Sequence, residues 1–120
     1  MEKRFKTFSA PSIDNPKPWT EAKAVIKLKN SKTVTVDAKP VSTYTDCGGE
    51  GLHLDYGQKI LFKNMQSFSV LDETPTIEFV ALNGEHLTGH VSSDCIIRAN
   101  NEFGPFEANV RTIERVEFGR

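Results

Sequence analysis

Phe103-Gly104-Pro105-Phe106, running on through Val110 and Ile113 to Val116-Glu117-Phe118, is the stretch whose pattern decides the fold. It contains an aromatic–glycine pair, then a strand in which Phe106, Ala108 and Val110 alternate with other residues. A short turn at Thr112-Ile113 follows, and Val116 and Phe118 point inward from a closing strand. Such a period of two marks a half-buried β-strand. The same plan occurs earlier, as Tyr56-Gly57 followed by Ile60, Phe62, Met65, Phe68 and Val70. Phe62, Met65, Phe68 and Val70 stand against Val110, Ile113, Val116 and Phe118 at one offset (110 − 62 = 48), and Asp46-Cys47 stands against Asp94-Cys95 at the same offset (94 − 46 = 48). We read this as an internal duplication of one small β unit.

Outward from that stretch, the rest of each half fits the plan. In the second half Ile77, Phe79 and Ala81 alternate with Glu78 and Val80, and Asn83-Gly84 predicts a type I′ hairpin turn with both residues at positive φ. Leu87 and Val91 fall in the inward phase of the return strand. Gly89 between them marks a bulge or a close backbone approach. Cys95 to Ala99 forms a third strand. In the first half Ala24, Ile26 and Leu28 alternate with Lys23, Val25, Lys27 and Lys29, Asn30-Ser31 turns the chain, and Val34 and Val36 lie on the return. Periodicity then fails from Asp37 to Glu50, a long loop. Lys63-Asn64-Met65-Gln66 is too short for an α-helix and predicts a single 3₁₀ turn.

Each unit thus runs hairpin, strand, strand, 3₁₀ turn, strand. That order, with Leu82-Asn83-Gly84, Leu87, Gly89, Phe103-Gly104, Ile113 and Val116-Glu117-Phe118 carrying it, resembles a Src-homology-3-like or Sm-like small barrel, in two copies over residues 23 to 119. The resemblance implies an architecture and no function. The expected fold is all-β: two duplicated five-stranded small-barrel-like units, residues 23–72 and 76–120, packed together because one unit of about fifty residues buries little core alone. Residues 1–22 form an extended N-terminal arm. Pro11, Pro16 and Pro18 exclude helix and central strand there, while Phe5, Phe8, Ile13 and Trp19 supply apolar anchors.

Composition narrows the function. Fifteen basic and sixteen acidic residues give a formal net charge of −1, without the basic excess that phosphate-backbone binding favours. No apolar window is long enough to span a bilayer. The charged start Met1-Glu2-Lys3-Arg4-Phe5-Lys6 leads into no apolar run, so no secretory signal and no membrane association are expected, and the default placement is cytoplasmic. Cys47 and Cys95 fit that compartment as reduced thiols.

Three constellations bear on chemistry. His86 and His90 share one side of a regular strand, and with Asp94 and Cys95 they form the candidate metal ligands; the spacing matches no compact zinc signature, and water-facing histidines are the simpler expectation. Cys47, His53, Asp46 and Asp55 surround the Gly48-Gly49-Glu50-Gly51 loop as a possible Cys/His pair, yet Asp46 and Glu50 would raise the thiol pKa, and no helix N-terminus lowers it. Lys23, Lys27, Lys29 and Lys32 on the first hairpin, with Lys3, Arg4 and Lys6, form a patch that could touch RNA or DNA, as Sm-like barrels often do; protection of an exposed edge strand is the simpler expectation.

We therefore expect a non-enzymatic binding or protein-interaction module without cofactor, self-associating as a homo-oligomer through the arm or an open sheet edge. Trp19, Phe5, Phe8, Tyr44 and His53 are the candidate contact residues. A nucleic-acid-binding small barrel is the alternative, and a small metal- or Cys/His-dependent enzyme the third.

Overall fold

The structure is a computed structural model that describes residues 21–39, 41–43, 47–55 and 57–119. Among them ten strands form: β1 (Lys23–Leu28), β2 (Thr33–Asp37), β3 (Gly51–His53), β4 (Lys59–Leu61), β5 (Met65–Val70), β6 (Thr76–Ala81), β7 (His86–His90), β8 (Ile96–Asn101), β9 (Gly104–Asn109) and β10 (Ile113–Gly119). Single 3₁₀ turns at Phe62–Asn64 and Val110–Thr112 lead into β5 and β10. The all-β expectation holds among the described residues. The N-terminal arm, with Phe5, Phe8 and Trp19, lies outside them, as does Tyr44.

Six strands make one antiparallel sheet in the order β2-β1-β10-β5-β6-β7, and β3–β4 and β8–β9 form separate two-stranded hairpins. No closed barrel forms among the described residues. The reason lies in the strand partners. β10 pairs with β1 and β5 with β6, and β5 and β10 then pair with each other at the sheet centre. Each half's last strand is thus flanked by the first strand of the other half, and the edge that would have closed a barrel is already occupied.

The registers of the two halves match. Val116 lies opposite Phe68 in the central pair, and these positions differ by the sequence offset (116 − 68 = 48). Ile26 lies between Val34 and Val116, while Phe79 lies between Leu87 and Phe68 (79 − 26 = 53; 87 − 34 = 53). Irregularities fall at corresponding places, between Lys27 and Leu28 in the β1–β10 ladder and between Met65 and Ser67 in the β5–β6 ladder. The hairpin turns also correspond. Gly84 takes φ 90° and Ser31 φ 73°, each at the fourth residue of its turn. Asn83 is not at positive φ, so the expected type I′ turn is replaced. Its side-chain oxygen instead accepts the Glu85 N–H at 2.9 Å, an Asx-type turn that needs only the glycine at positive φ.

One hydrophobic cluster runs through both halves, joining Ile26, Val36, Leu52, Phe62, Phe68, Phe79, Ile97, Val116 and Phe118. The side chains expected inward from the opening stretch and its counterpart are buried, namely Phe62, Met65, Phe68 and Val70 with Val110, Ile113, Val116 and Phe118. At its centre the Phe62, Phe68 and Phe118 rings stand 5.7 to 6.4 Å apart between centroids, within the range of favourable ring packing. The other face of the sheet is polar at its midline. The Arg115 guanidinium lies across β10 and β5, donating to Ser69 Oγ at 3.1 Å, Ser67 Oγ at 3.3 Å and Glu117 Oε2 at 2.7 Å.

Cys47 and Cys95 are joined in a disulfide, with Cα atoms 5.7 Å apart across 48 residues of sequence. The expectation of two reduced thiols is corrected. Two cysteines far apart in sequence carry no pairing signal of their own, and it is the packing of the two halves that brings them together. The bridge ties the segment entering β3 to the segment entering β8.

Candidate functional site

The candidate metal ligands do not converge. His86 and His90 both project from β7 into solvent, but each turns to a different carboxylate: His86 Nδ1 lies 3.4 Å from Glu78 Oε2 and His90 Nδ1 lies 2.7 Å from Asp55 Oδ2. Cys95 is consumed by the disulfide and offers no thiolate. No group of three or more His, Cys, Asp or Glu side chains placed to hold a metal ion occurs among the described residues. Cys47 likewise cannot act as a nucleophile, and His53 is exposed on β3 opposite Lys59.

The Asp55–His90 contact has a structural role. Asp55 N–H donates to the His90 carbonyl at 3.0 Å, and His90 N–H donates to Asp55 Oδ1 at 3.3 Å. These bonds occupy the outward main-chain groups at one end of β7, which is an edge strand. The side-chain hydrogen bond from His90, followed by its backbone bond, holds the Asp55 carboxyl below its ordinary value of 3.8. A carboxylate depressed on folding contributes stability above its unfolded pKa and loses that contribution as pH falls through the folded one. Asp55→Asn is therefore expected to flatten the acid limb of the melting temperature measured by circular dichroism below about pH 4. Superimposable limbs for the two proteins would contradict this role.

The lysines of the first hairpin are mostly engaged. Lys23 pairs with Asp37, Lys27 with Glu114 at 3.5 Å and Lys29 with Glu73 at 3.5 Å. Elsewhere a shallow cleft of about 220 Å³ is lined by Lys39, Val41, Glu50 and Lys63. The loop beside it is tightly built. Buried Thr43 donates its hydroxyl towards the carbonyls of Gly49 and Gly51 at 3.2 and 3.1 Å, and a Cβ at Gly51 would come within 2.8 Å of the Ile60 carbonyl carbon.

The most distinctive surface feature is Phe103. Of the large apolar side chains exposed among the described residues it is the most open, at 89%. It sits in the turn between β8 and β9, and Asn101 fixes that turn from both sides. Asn101 Oδ1 accepts the Phe103 N–H at 2.8 Å, and Asn101 Nδ2 donates to the Thr35 carbonyl on β2 at 3.2 Å. Gly104 takes φ 115°, a region that favours glycine, to return the chain into β9. A cleft of about 330 Å³ lies between this tip and β2, lined by Thr33, Val34, Thr35, Asn101, Glu102 and Phe103.

The Asn101 bond also occupies part of the outer edge of β2. Leu28 N–H donates to Lys32 C=O and Ala38 N–H to Ala22 C=O. Antiparallel alternation between those points turns the main-chain groups of Thr33, Thr35 and Asp37 away from β1. The Thr35 carbonyl is then taken by Asn101, as His90 is taken by Asp55 on β7. Both edges of the sheet carry a side-chain cap, which blunts strand addition. The cap on the Thr35 carbonyl disfavours strand addition at this part of β2.

The exposure of Phe103 is not evident from the sequence pattern, where it reads as half of an aromatic–glycine structural pair. The available signal is its place: a large aromatic in an otherwise polar Asn100-Asn101-Glu102 turn, outside the alternation of Phe106, Ala108 and Val110. Searches of protein-family models, curated proteins and solved structures return no match to the chain. No helix among the described residues is long and apolar enough to cross a membrane.

Proposed function

We propose that the chain is a non-enzymatic protein-interaction module whose docking surface is centred on Phe103. The observation that carries this is an almost fully exposed aromatic ring held in a turn by the two Asn101 hydrogen bonds, beside a cleft on β2. A single exposed apolar residue is ordinary on protein surfaces. Here the backbone that bears it is fixed, so little ordering entropy remains to be lost on binding, and a phenyl ring supplies much contact area for few rotatable bonds. Aromatic anchors of this kind dominate many protein interfaces. The ion pairs of Lys23, Lys27 and Lys29 weigh against the nucleic-acid alternative.

We further infer that the two halves are copies of one small-barrel-like β unit, interlocked by exchange of their first hairpins. The shared offset of 48, the Phe68–Val116 pairing and the matching turns support this. The Cys47–Cys95 bridge supports an oxidising compartment instead of the cytoplasm.

Panning a random peptide library on the wild-type protein tests the docking surface. Selected peptides are expected to bind Phe103→Ser at least about tenfold more weakly, the loss that burial of one phenyl ring implies. Peptides that bind both proteins equally would place the interaction elsewhere.

A further inference from the structure

We propose that the occupant of the Phe103 surface is a second copy of this chain, related by a two-fold axis that passes beside the β8–β9 tip. The proposal rests on the docking function above and adds the identity of the partner. Knob and cleft lie side by side in one patch: Phe103 forms one wall of the 330 Å³ cleft, and Thr33, Val34 and Thr35 form the other. A two-fold axis makes such a patch self-complementary. Each Phe103 enters the cleft of the other copy, so that the rings pack against one another and against the facing β2.

The charges flanking the patch fit the same operation. Glu102 lines the cleft at the tip, Lys32 directly precedes its lining residue Thr33 at the start of β2, and both are exposed. Neither side chain has an ion-pair partner among the described residues, whereas Lys23, Lys27 and Lys29 each have one. Opposite charges, one in the cleft wall and one beside it, become two Glu102–Lys32 pairs across a two-fold interface, one on each side of the axis. Phe103 is solvated in the single copy, and the interface removes it from water without asking the capped β2 edge to accept a strand.

Sedimentation velocity of the full chain over about 1 μM to 1 mM tests this. The wild-type protein is expected to dimerise with a dissociation constant in the micromolar range. Phe103→Ser is expected to raise that constant at least about 100-fold, since two rings are lost per dimer, with an unchanged melting temperature when both proteins are measured as monomers, well below the wild-type dissociation constant. Glu102→Lys and Lys32→Glu should each weaken the dimer, and the double variant should recover it, because the exchanged charges again oppose. A wild-type protein monomeric across the range, a dimer indifferent to Phe103→Ser, or a double variant no tighter than its parents would each overturn the proposal. Were the wild-type chain monomeric while selected peptides still required Phe103, the docking surface would stand and only the second copy would fall.

Discussion

Replacing Cys47 and Cys95 together by alanine is expected to cost about 4 kcal/mol of unfolding free energy, from the chain entropy that a bridge across some 48 residues removes from the unfolded state. At the unfolding entropy usual for a chain of this length, the melting temperature should fall by roughly 15 °C. The two sulfurs join positions in opposite halves, both nearly buried at 4% and 2% exposure, so the double variant also leaves a small void at their contact. The substitution is a cleaner test than reductant, which reaches buried sulfurs slowly. Calorimetry measures the effect directly. A melting temperature within a few degrees of wild type would show that the bridge contributes little and that the halves are held by packing alone.

The second large effect is expected at Phe68, which is fully buried, lies opposite Val116 in the central strand pair and packs against Phe62 and Phe118. Phe68→Ala should cost about 3–5 kcal/mol, the usual range for emptying a buried aromatic site. The form of the transition matters as much as its size. The β1–β10 and β5–β6 pairs cross between halves, so the loss should appear as one cooperative transition in urea, with near-coincident curves for β1–β2 and β6–β7 amides by NMR. Two separated transitions would indicate halves that fold independently and would contradict the interlocked sheet.

Much of the strand content was legible in the sequence because inward residues repeat every second position, as at Ala24, Ile26 and Leu28 or Val116 and Phe118. The common offset of 48 was legible too. Which strand pairs with which was not. Alternation fixes the face of a strand, and both a closed unit and an exchanged one bury Phe68 and Val116. The choice is made by long-range pairing of β5 with β10, which no local pattern encodes. The turn at Asn83-Gly84 was placed correctly and typed wrongly, since the Asn83 side chain competes for the Glu85 amide. The histidines were correctly expected to face water. Glu78, the partner of His86, lies on the adjacent strand of the same hairpin, whereas Asp55, the partner of His90, was hidden because it comes from the other half. Cys47 and Cys95 stood at matching positions in plain view, and only the packing of the two halves turns that match into a bond.

Phe103 shows the complementary limit. Its aromatic–glycine context resembles that of Tyr56-Gly57, so pattern alone assigns it to the scaffold. Its setting is shaped by the Asn101 side chain, which accepts the Phe103 N–H within the turn and ties the tip to β2 through the Thr35 carbonyl. The bond to Thr35 spans 66 residues of sequence, and it ties β2 to the one surface where function is proposed.

The most direct measurement is site-specific photocrosslinking with p-benzoylphenylalanine installed at position 103 of the full chain. Irradiation at a concentration where the protein is dimeric should give a covalent dimer, and mass spectrometry should map the bond to the other copy's β2 around Thr33 to Thr35 or to its β8–β9 tip. A crosslink mapping elsewhere, to β7 for example, or no covalent dimer at any concentration, would contradict the account.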